Sequence, residues 1–316
     1  MKKSVIAAIA AASVVGGAVV GHHVIASNDV PVVYFTRDIS PNGLAKAYKA
    51  LNWKPTGKVG VKISTGESSK SNYLRPELIK DLIADLDGTI VECNTAYGGN
   101  RSDSKSHWAA IKERGFMNIA PVDIMDEEGS MTLTVNGGNV LSENYVGTHF
   151  ANYPSYLVVS HFKGHAMAGF GGALKNISIG FGSSMGKKWI HSGGTSKESM
   201  WDSEQNAFLE SMADAAKSVV EYVGRDNMAY INVLNRISID CDCDGNPAEP
   251  DIHDIGILAS RDPVAIDQAG IDMVSVAEGN EKLMQRISDR NGLHTLEAAE
   301  KIGVGSRKYK LVNLDE

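Results

Sequence analysis

The densest set of groups able to do chemistry falls in one glycine-spaced stretch, Ser160-His161-Phe162-Lys163-Gly164-His165-Ala166-Met167-Ala168-Gly169-Phe170-Gly171-Gly172-Ala173-Leu174-Lys175-Asn176. His161 and His165 stand four apart, Lys175 follows a Gly-Phe-Gly-Gly turn, and His191 closes the segment within Ile190-His191-Ser192-Gly193-Gly194. A histidine carries protons near neutral pH or ligates a metal. A lysine supplies a cation or, once desolvated, a nucleophile. Glycines such as Gly171 and Gly172 allow close backbone approach to a bound group. The run has the spacing of neither a phosphate loop nor a dinucleotide fingerprint. A plainer alternative stands beside this one, in which the glycines make turns and the histidines are surface or capped core residues.

A second constellation is Asp240-Cys241-Asp242-Cys243-Asp244-Gly245, continuing to Asp251, His253 and Asp254. Alternating aspartates before a glycine match the front half of a calcium loop, and Asp251 falls at its twelfth position. The flanks read as strand and proline-rich loop rather than two helices. A thiolate pair would suit a softer metal. Cys241 and Cys243 stand too close for an easy mutual bridge. The other reading is an acidic turn between strands.

Glu92-Cys93-Asn94-Thr95-Ala96-Tyr97-Gly98-Gly99-Asn100-Arg101 follows a strand end, as does Lys62 with Ser64, Thr65 and Gly66. In open α/β sheets, ligands sit beyond the carboxyl ends of strands. Arg101 and Lys62 are therefore candidates to hold a carboxylate, phosphate or cofactor, unless these are ordinary strand-to-helix loops.

The elements that must position these groups alternate. Apolar runs at 30–35, 59–63, 89–93, 120–125, 156–160, 230–239 and 255–259 predict strands. Helical patterns fill 40–53, 75–86, 104–115, 203–223, 262–277 and 295–302. Ser40-Pro41 and Asp262-Pro263 supply an N-cap followed by proline. Shorter strands, of antiparallel type, are expected at 131–135 and 145–150. This rhythm predicts an α/β fold with a mixed, mostly parallel sheet flanked by helices, as one domain over 28–316 or two subdomains sharing a crevice.

The 316 residues are 43% hydrophobic and 22% charged, an ordinary globular composition. A net charge of −7 without a long basic run argues against nucleic acid as a partner. Residues 1–27 combine Lys2 and Lys3, an apolar run and a small-residue exit, the pattern of a secretory signal or an uncleaved N-terminal anchor. A secreted or extracytoplasmic location follows, with membrane contact only through an uncleaved N-terminus. Three cysteines do not make a disulfide scaffold.

The run 161–176, with 92–101 and Asp254-Ile-Gly-Ile-Leu-Ala-Ser-Arg-Asp-Pro-Val-Ala-Ile-Asp267, resembles the domain of unknown function 362 family across nearly the whole of 30–314. Many members carry an added ferredoxin segment and are described as iron–sulfur centre proteins. Here the chain passes from Lys187-Lys188-Trp189-Ile190-His191 straight to the 203–223 helix, and three cysteines cannot supply the four ligands of a 4Fe-4S cluster. A fainter resemblance links His165, Gly169-Phe-Gly-Gly-Ala-Leu-Lys175 and His191 to the core of nickel-dependent lactate racemases. That resemblance implies Lys175 as cofactor tether or anion anchor, His191 as metal ligand and His165 as proton carrier.

Three classes of function remain open. One is a metal- or cofactor-dependent racemase, isomerase or oxidoreductase acting on a small anion, with nickel, iron or calcium as candidate metals. Another is a binding module for a metal or small anion, using His161, His191 and the run Asp240, Cys241, Asp242, Cys243, Asp244. The third is a redox accessory protein with a partner protein supplying the cluster.

Overall fold

The computed structural model describes residues 30–201 and 203–316. The expected signal or anchor at 1–27 lies outside the described residues. Twelve strands and nine α-helices are present among those described. The first half runs β1 (Val32–Thr36), α1 (Pro41–Ala50), β2 (Val59–Lys62), α2 (Pro76–Asp85), β3 (Thr89–Glu92), α3 (Ser104–Glu113) and β4 (Val122–Ile124). A hairpin of β5 (Ser130–Thr134) and β6 (Glu143–Gly147) precedes β7 (Ser155–His161). Then come β8 (Lys163–His165), β9 (Gly169–Gly171), α4 (Ala173–Ser178), α5 (Ser184–His191) and α6 (Gln205–Val223). The chain ends with β10 (Met228–Leu234), β11 (Gly256–Ser260), α7 (Pro263–Ser275), α8 (Glu281–Asp289), α9 (His294–Lys301) and β12 (Lys310–Asn313).

Eight strands form one mixed sheet in the order β12-β1-β11-β10-β7-β2-β3-β4. The run from β10 through β7, β2 and β3 to β4 is parallel, whereas β11 is antiparallel to both β10 and β1. The sheet is thus mostly parallel and flanked by helices, as the alternation of apolar runs and helical patterns predicts. β7 is buried along its whole length, and its side chains divide by alternation. Tyr156 and Val158 join the core under α4, α6, α7 and α9, while Leu157 and Val159 join the core under α1, α2 and α3. Local chemistry sets the helix starts. The Ser40 and Asp103 side chains accept from the amides of Gly43 and Ser106, and Asp262 accepts from those of Val264 and Ala265.

The sequence reading fails in several places, and the strand expected over 230–239 stops at Leu234. The glycine-rich 164–194 segment holds a two-stranded hairpin and two helices, and the reading passes over β12 and over α8, although Leu283 and Ile287 stand four apart on the buried face of that helix. Among the described residues, no helix is long and apolar enough to cross a membrane.

Candidate functional site

β2, β3, β7 and β10 run parallel, so Lys62, Glu92 and His161 all arrive at their carboxyl ends. Here β7 lies between β10 on one side and β2 and β3 on the other, and a crevice opens. The β8–β9 hairpin and helices α4 and α5 cross it. They form a cavity of about 100 Å³ that His161, His165, Lys175, His191, Cys241 and Cys243 help to line. By the volume one water needs, such a space holds several waters or a small organic molecule. The glycine-spaced stretch therefore does converge on one cavity, joined by Lys62, Arg101, Gly172 and Asp242.

Two glycines are sterically required. A Cβ on Gly164 would meet the Ile239 carbonyl oxygen at 2.1 Å, because β8 presses against the 235–245 loop. One on Gly172 would meet Asp267 Oδ1 at 2.3 Å. Asp267, on α7, accepts from the amides of Ala173 and Leu174 at 2.7 and 2.9 Å and from Asn232 Nδ2 at 2.7 Å. It thereby fixes the start of the helix that carries Lys175 and Asn176. Burial pushes its carboxyl up to about 6, against the opposing pull of those donors. Gly171 packs on the Lys175 side chain at 3.1 Å from its would-be Cβ and is not part of the cavity wall.

Two of the three histidines that line the cavity, His165 and His191, have opposite hydrogen-bonding states. The amides of Met167 and Ala168 donate to His165 Nδ1 at 3.3 and 2.9 Å, which leaves Nε2 to carry the ring proton. His191 Nδ1 lies 2.7 Å from the Lys187 carbonyl and donates to it, which leaves Nε2 with a bare lone pair. The His191 ring stacks on Phe208 with centroids 5.0 Å apart. Burial, reinforced by nearby cations, holds His165 well below the usual histidine range. Burial lowers His191 to about 4, with Lys175 and Lys187 adding to the shift. Both rings are neutral at physiological pH, one a donor and the other an acceptor.

Cations crowd the same space. Lys62 Nζ donates to the Ile63 carbonyl at 2.6 Å and to Asn176 Oδ1 at 3.0 Å, and burial brings it down to about 8. Lys163 Nζ pairs with Asp242 at 2.7 Å, and Lys187 donates to the Gly182 carbonyl. Lys175 is only partly covered, but the low-polarity surroundings of its amine, with Lys163 next in effect, lower it to about 7. That value makes it both a neutral nucleophile and a cation near physiological pH.

Several expected ligands are already committed elsewhere. His161 presents Nδ1 to Asp242 at 2.8 Å and Nε2 to the Asn235 carbonyl at 2.6 Å, so both nitrogens are already engaged and neither faces a metal. Arg101 pairs with Glu92 at 2.7 Å and with Glu67 at 3.2 Å, which makes it a clamp between strand ends rather than a free anion holder. The Glu92 carboxylate, buried yet held well below its usual range by Arg101 and His107, also accepts from Thr65. The aspartates of the 240–251 run do not converge as a calcium loop requires. Asp242 turns inward to His161 and Lys163, Asp240 and Asp244 accept from backbone amides of their own loop, and Asp251 pairs with Lys282. Cys241 and Cys243 form a disulfide, with Cα atoms 5.2 Å apart, contrary to the expectation from their spacing. Among the described residues, His165, Cys241 and Cys243 are the group whose ligand atoms, all within 4.8 Å of one another, could hold a metal. Sequence reasoning missed Lys187 and the Asp242 clamp. Lys187 stands one turn before His191 on α5, a signal that becomes visible only once that helix is known.

Residues 59–272 match the family model described as Domain of unknown function (DUF362). The chain belongs to that family. A search of curated proteins finds no match. Two solved structures are similar in fold. A lactate racemase apoprotein from Thermoanaerobacterium thermosaccharolyticum aligns with a TM-score of 0.44 and 13% identity, over 77% of this chain and 57% of that one. A Thermotoga maritima protein aligns with a TM-score of 0.42 and 11% identity, over 84% of this chain and 59% of that one. The family member described here therefore spans less than two thirds of either.

Proposed function

We propose that the cavity is the active site of an enzyme that binds a small anionic substrate and moves a proton at the carbon bearing its hydroxyl or carboxylate. One observation carries this reading: two neutral histidines of opposite hydrogen-bonding state, His165 with Nε2–H and His191 with bare Nε2, line one small cavity. Such a pair delivers a proton and accepts one without first exchanging with solvent. Lys62, Lys163, Lys175 and Lys187 supply the field that draws a carboxylate in.

The residues also suit a bound metal or organic cofactor. His191 Nε2 is free to ligate, and the Lys175 amine is available to form a covalent tether. Cys241 and Cys243, once reduced, offer soft sulfur ligands at the wall of the same cavity. When bound, a metal supplies Lewis-acid polarisation of a substrate oxygen. His165 then handles the proton, Lys175 holds the anion or cofactor, and the surrounding side chains exclude water. The pattern of residues 1–27 and the disulfide both favour an oxidising, extracytoplasmic setting. N-terminal sequencing and fractionation of the native protein test that setting.

The test of activity is hydrogen exchange. Native protein is incubated in D₂O with a panel of small 2-hydroxy acids, and deuterium at the α-carbon is read by NMR. Exchange is expected with the wild type and lost in His165→Ala and His191→Ala, with folding intact by circular dichroism. Exchange that persists in both variants would refute the assignment. Elemental analysis and intact mass of native protein show whether a metal or a Lys175 adduct accompanies activity. The crowding of cations also favours a second reading, in which a small anion is bound without turnover. Tight anion binding with no exchange selects it.

A further inference from the structure

The Cys241–Cys243 bridge occupies an unusual place for a structural disulfide. It closes a loop of sequence separation 2, where the gain from constraining the unfolded chain is smallest. It also sits in the wall of the polar cavity instead of tying distant segments together. We propose that Cys241 and Cys243 are a redox-active pair that exchanges with a small, anionic thiol entering the cavity. This proposal does not depend on the proton-transfer reading.

The loop holds the two sulfurs beside each other independently of the bond between them. The residue between them, Asp242, is clamped by His161 and Lys163, and its carbonyl accepts from the Glu67 amide at 2.8 Å. The Asp244 amide donates to the Cys241 carbonyl at 2.9 Å, and Ser68 and Ser71 hold the carbonyls of Gly245 and Asp244. Reduction therefore leaves both thiols in place to reoxidise. The pair is also asymmetric. Cys241 is buried, whereas Cys243 is partly exposed. The Cys243 amide points at Cys241 Sγ from 3.3 Å, a donor placed to stabilise charge on that sulfur.

These features assign the roles. An incoming thiolate attacks Cys243 Sγ. The S–S bond breaks, and its electron pair goes to Cys241 Sγ, the better leaving group because of the amide and the surrounding cations. A second thiol then attacks the substrate sulfur of the mixed disulfide. It releases the substrate disulfide and leaves Cys243 reduced. Two thiols are oxidised by two electrons, and the protein gains two thiols. The lysines favour a thiol carrying carboxylates over one carrying an amine. Cys93 cannot compete: it is buried, its sulfur contacts the Phe181 carbonyl, and burial pushes its thiol up to about 12.

The experiment uses full-length native protein equilibrated in reduced and oxidised glutathione, then quenched with a maleimide and read by intact mass and peptide mapping. Two labels at Cys241 and Cys243 are expected to appear together as the reduced fraction rises, with no label on Cys93. Glutathione is expected to act at least about tenfold faster than cysteamine, whose amine the cavity repels. Cys241→Ser should trap a glutathione adduct on Cys243, and Cys243→Ser should not trap one on Cys241. A bridge that yields to glutathione only in denaturant overturns the proposal, as does an equal rate with cysteamine. Should either variant misfold, the wild-type equilibrium and the rate comparison decide.

Discussion

Lys175 offers the sharpest quantitative test of how the cavity is built. Its amine is lowered from an ordinary 10.5 to about 7, first by its low-polarity surroundings and then by the neighbouring Lys163 charge. At pH 7 about half of Lys175 is neutral, against about 0.03% of an unperturbed lysine, a difference of roughly 1,600-fold in reactive fraction. Lower basicity also lowers intrinsic reactivity. With a slope near one half, as found for thiols, the net advantage falls to about 30-fold. Trace labelling with acetic anhydride across pH 5–11, read per lysine by peptide mass spectrometry, reports both quantities. Lys175 should label with a midpoint near 7, well below the exposed lysines. Removing the Lys163 charge in Lys163→Met also leaves Asp242 without its ammonium partner. Both changes favour the charged Lys175, so its midpoint should move up. A Lys175 profile that rises together with the exposed lysines, or one unmoved by Lys163→Met, would refute the electrostatic reasoning.

Other outcomes follow from the same contacts. Asp267→Ala orphans two backbone amides and the Asn232 amide in the core, and should lower unfolding free energy by about 3–5 kcal/mol in urea titrations. Glu92→Gln leaves Arg101 buried with only Glu67 as counter-ion and should cost a similar 3–5 kcal/mol, read as a lower urea midpoint with unchanged slope. Lys175→Met should raise Tm at pH 6, because the folded state there holds a charge that it disfavours. The unfolded chain binds more protons than the folded one between pH 7 and 10.5, so the wild type gains stability through that window and the advantage of Lys175→Met should fade towards pH 10.5.

What the sequence revealed and what it hid divide by range. The strands β2, β3, β7, β10 and β11 stand out as apolar runs, because a doubly covered sheet needs side chains buried on both faces. His165, Lys175 and His191 stand out because one glycine-rich crossing of the crevice carries all three. The commitments of His161, Arg101 and Asp242 do not show. Each depends on a partner distant in the chain, as in the contact from His161 to Asp242 across 81 positions, and no local spacing encodes such a pairing. Helices α4 and α5 were hidden by their brevity and by the glycines around them, and the start of α4 also depends on Asp267 of a later helix. The disulfide went unforeseen because two cysteines one residue apart bridge only when the chain between them is bent and pinned, and the pins are His161, Lys163 and Glu67.

Lys62, Lys187 and the protonated fraction of Lys175, with Lys163 already paired to Asp242, set cations around one small pocket in mutual repulsion. Any guest of opposite charge relieves that repulsion in the folded state alone, so occupancy must register as added heat resistance. The fold thus works as its own reporter. A melting screen over small carboxylates, phosphates and sulfonates can rank true occupants before any turnover is known, and the ranking should flatten when Lys175 and Lys187 are both replaced by methionine.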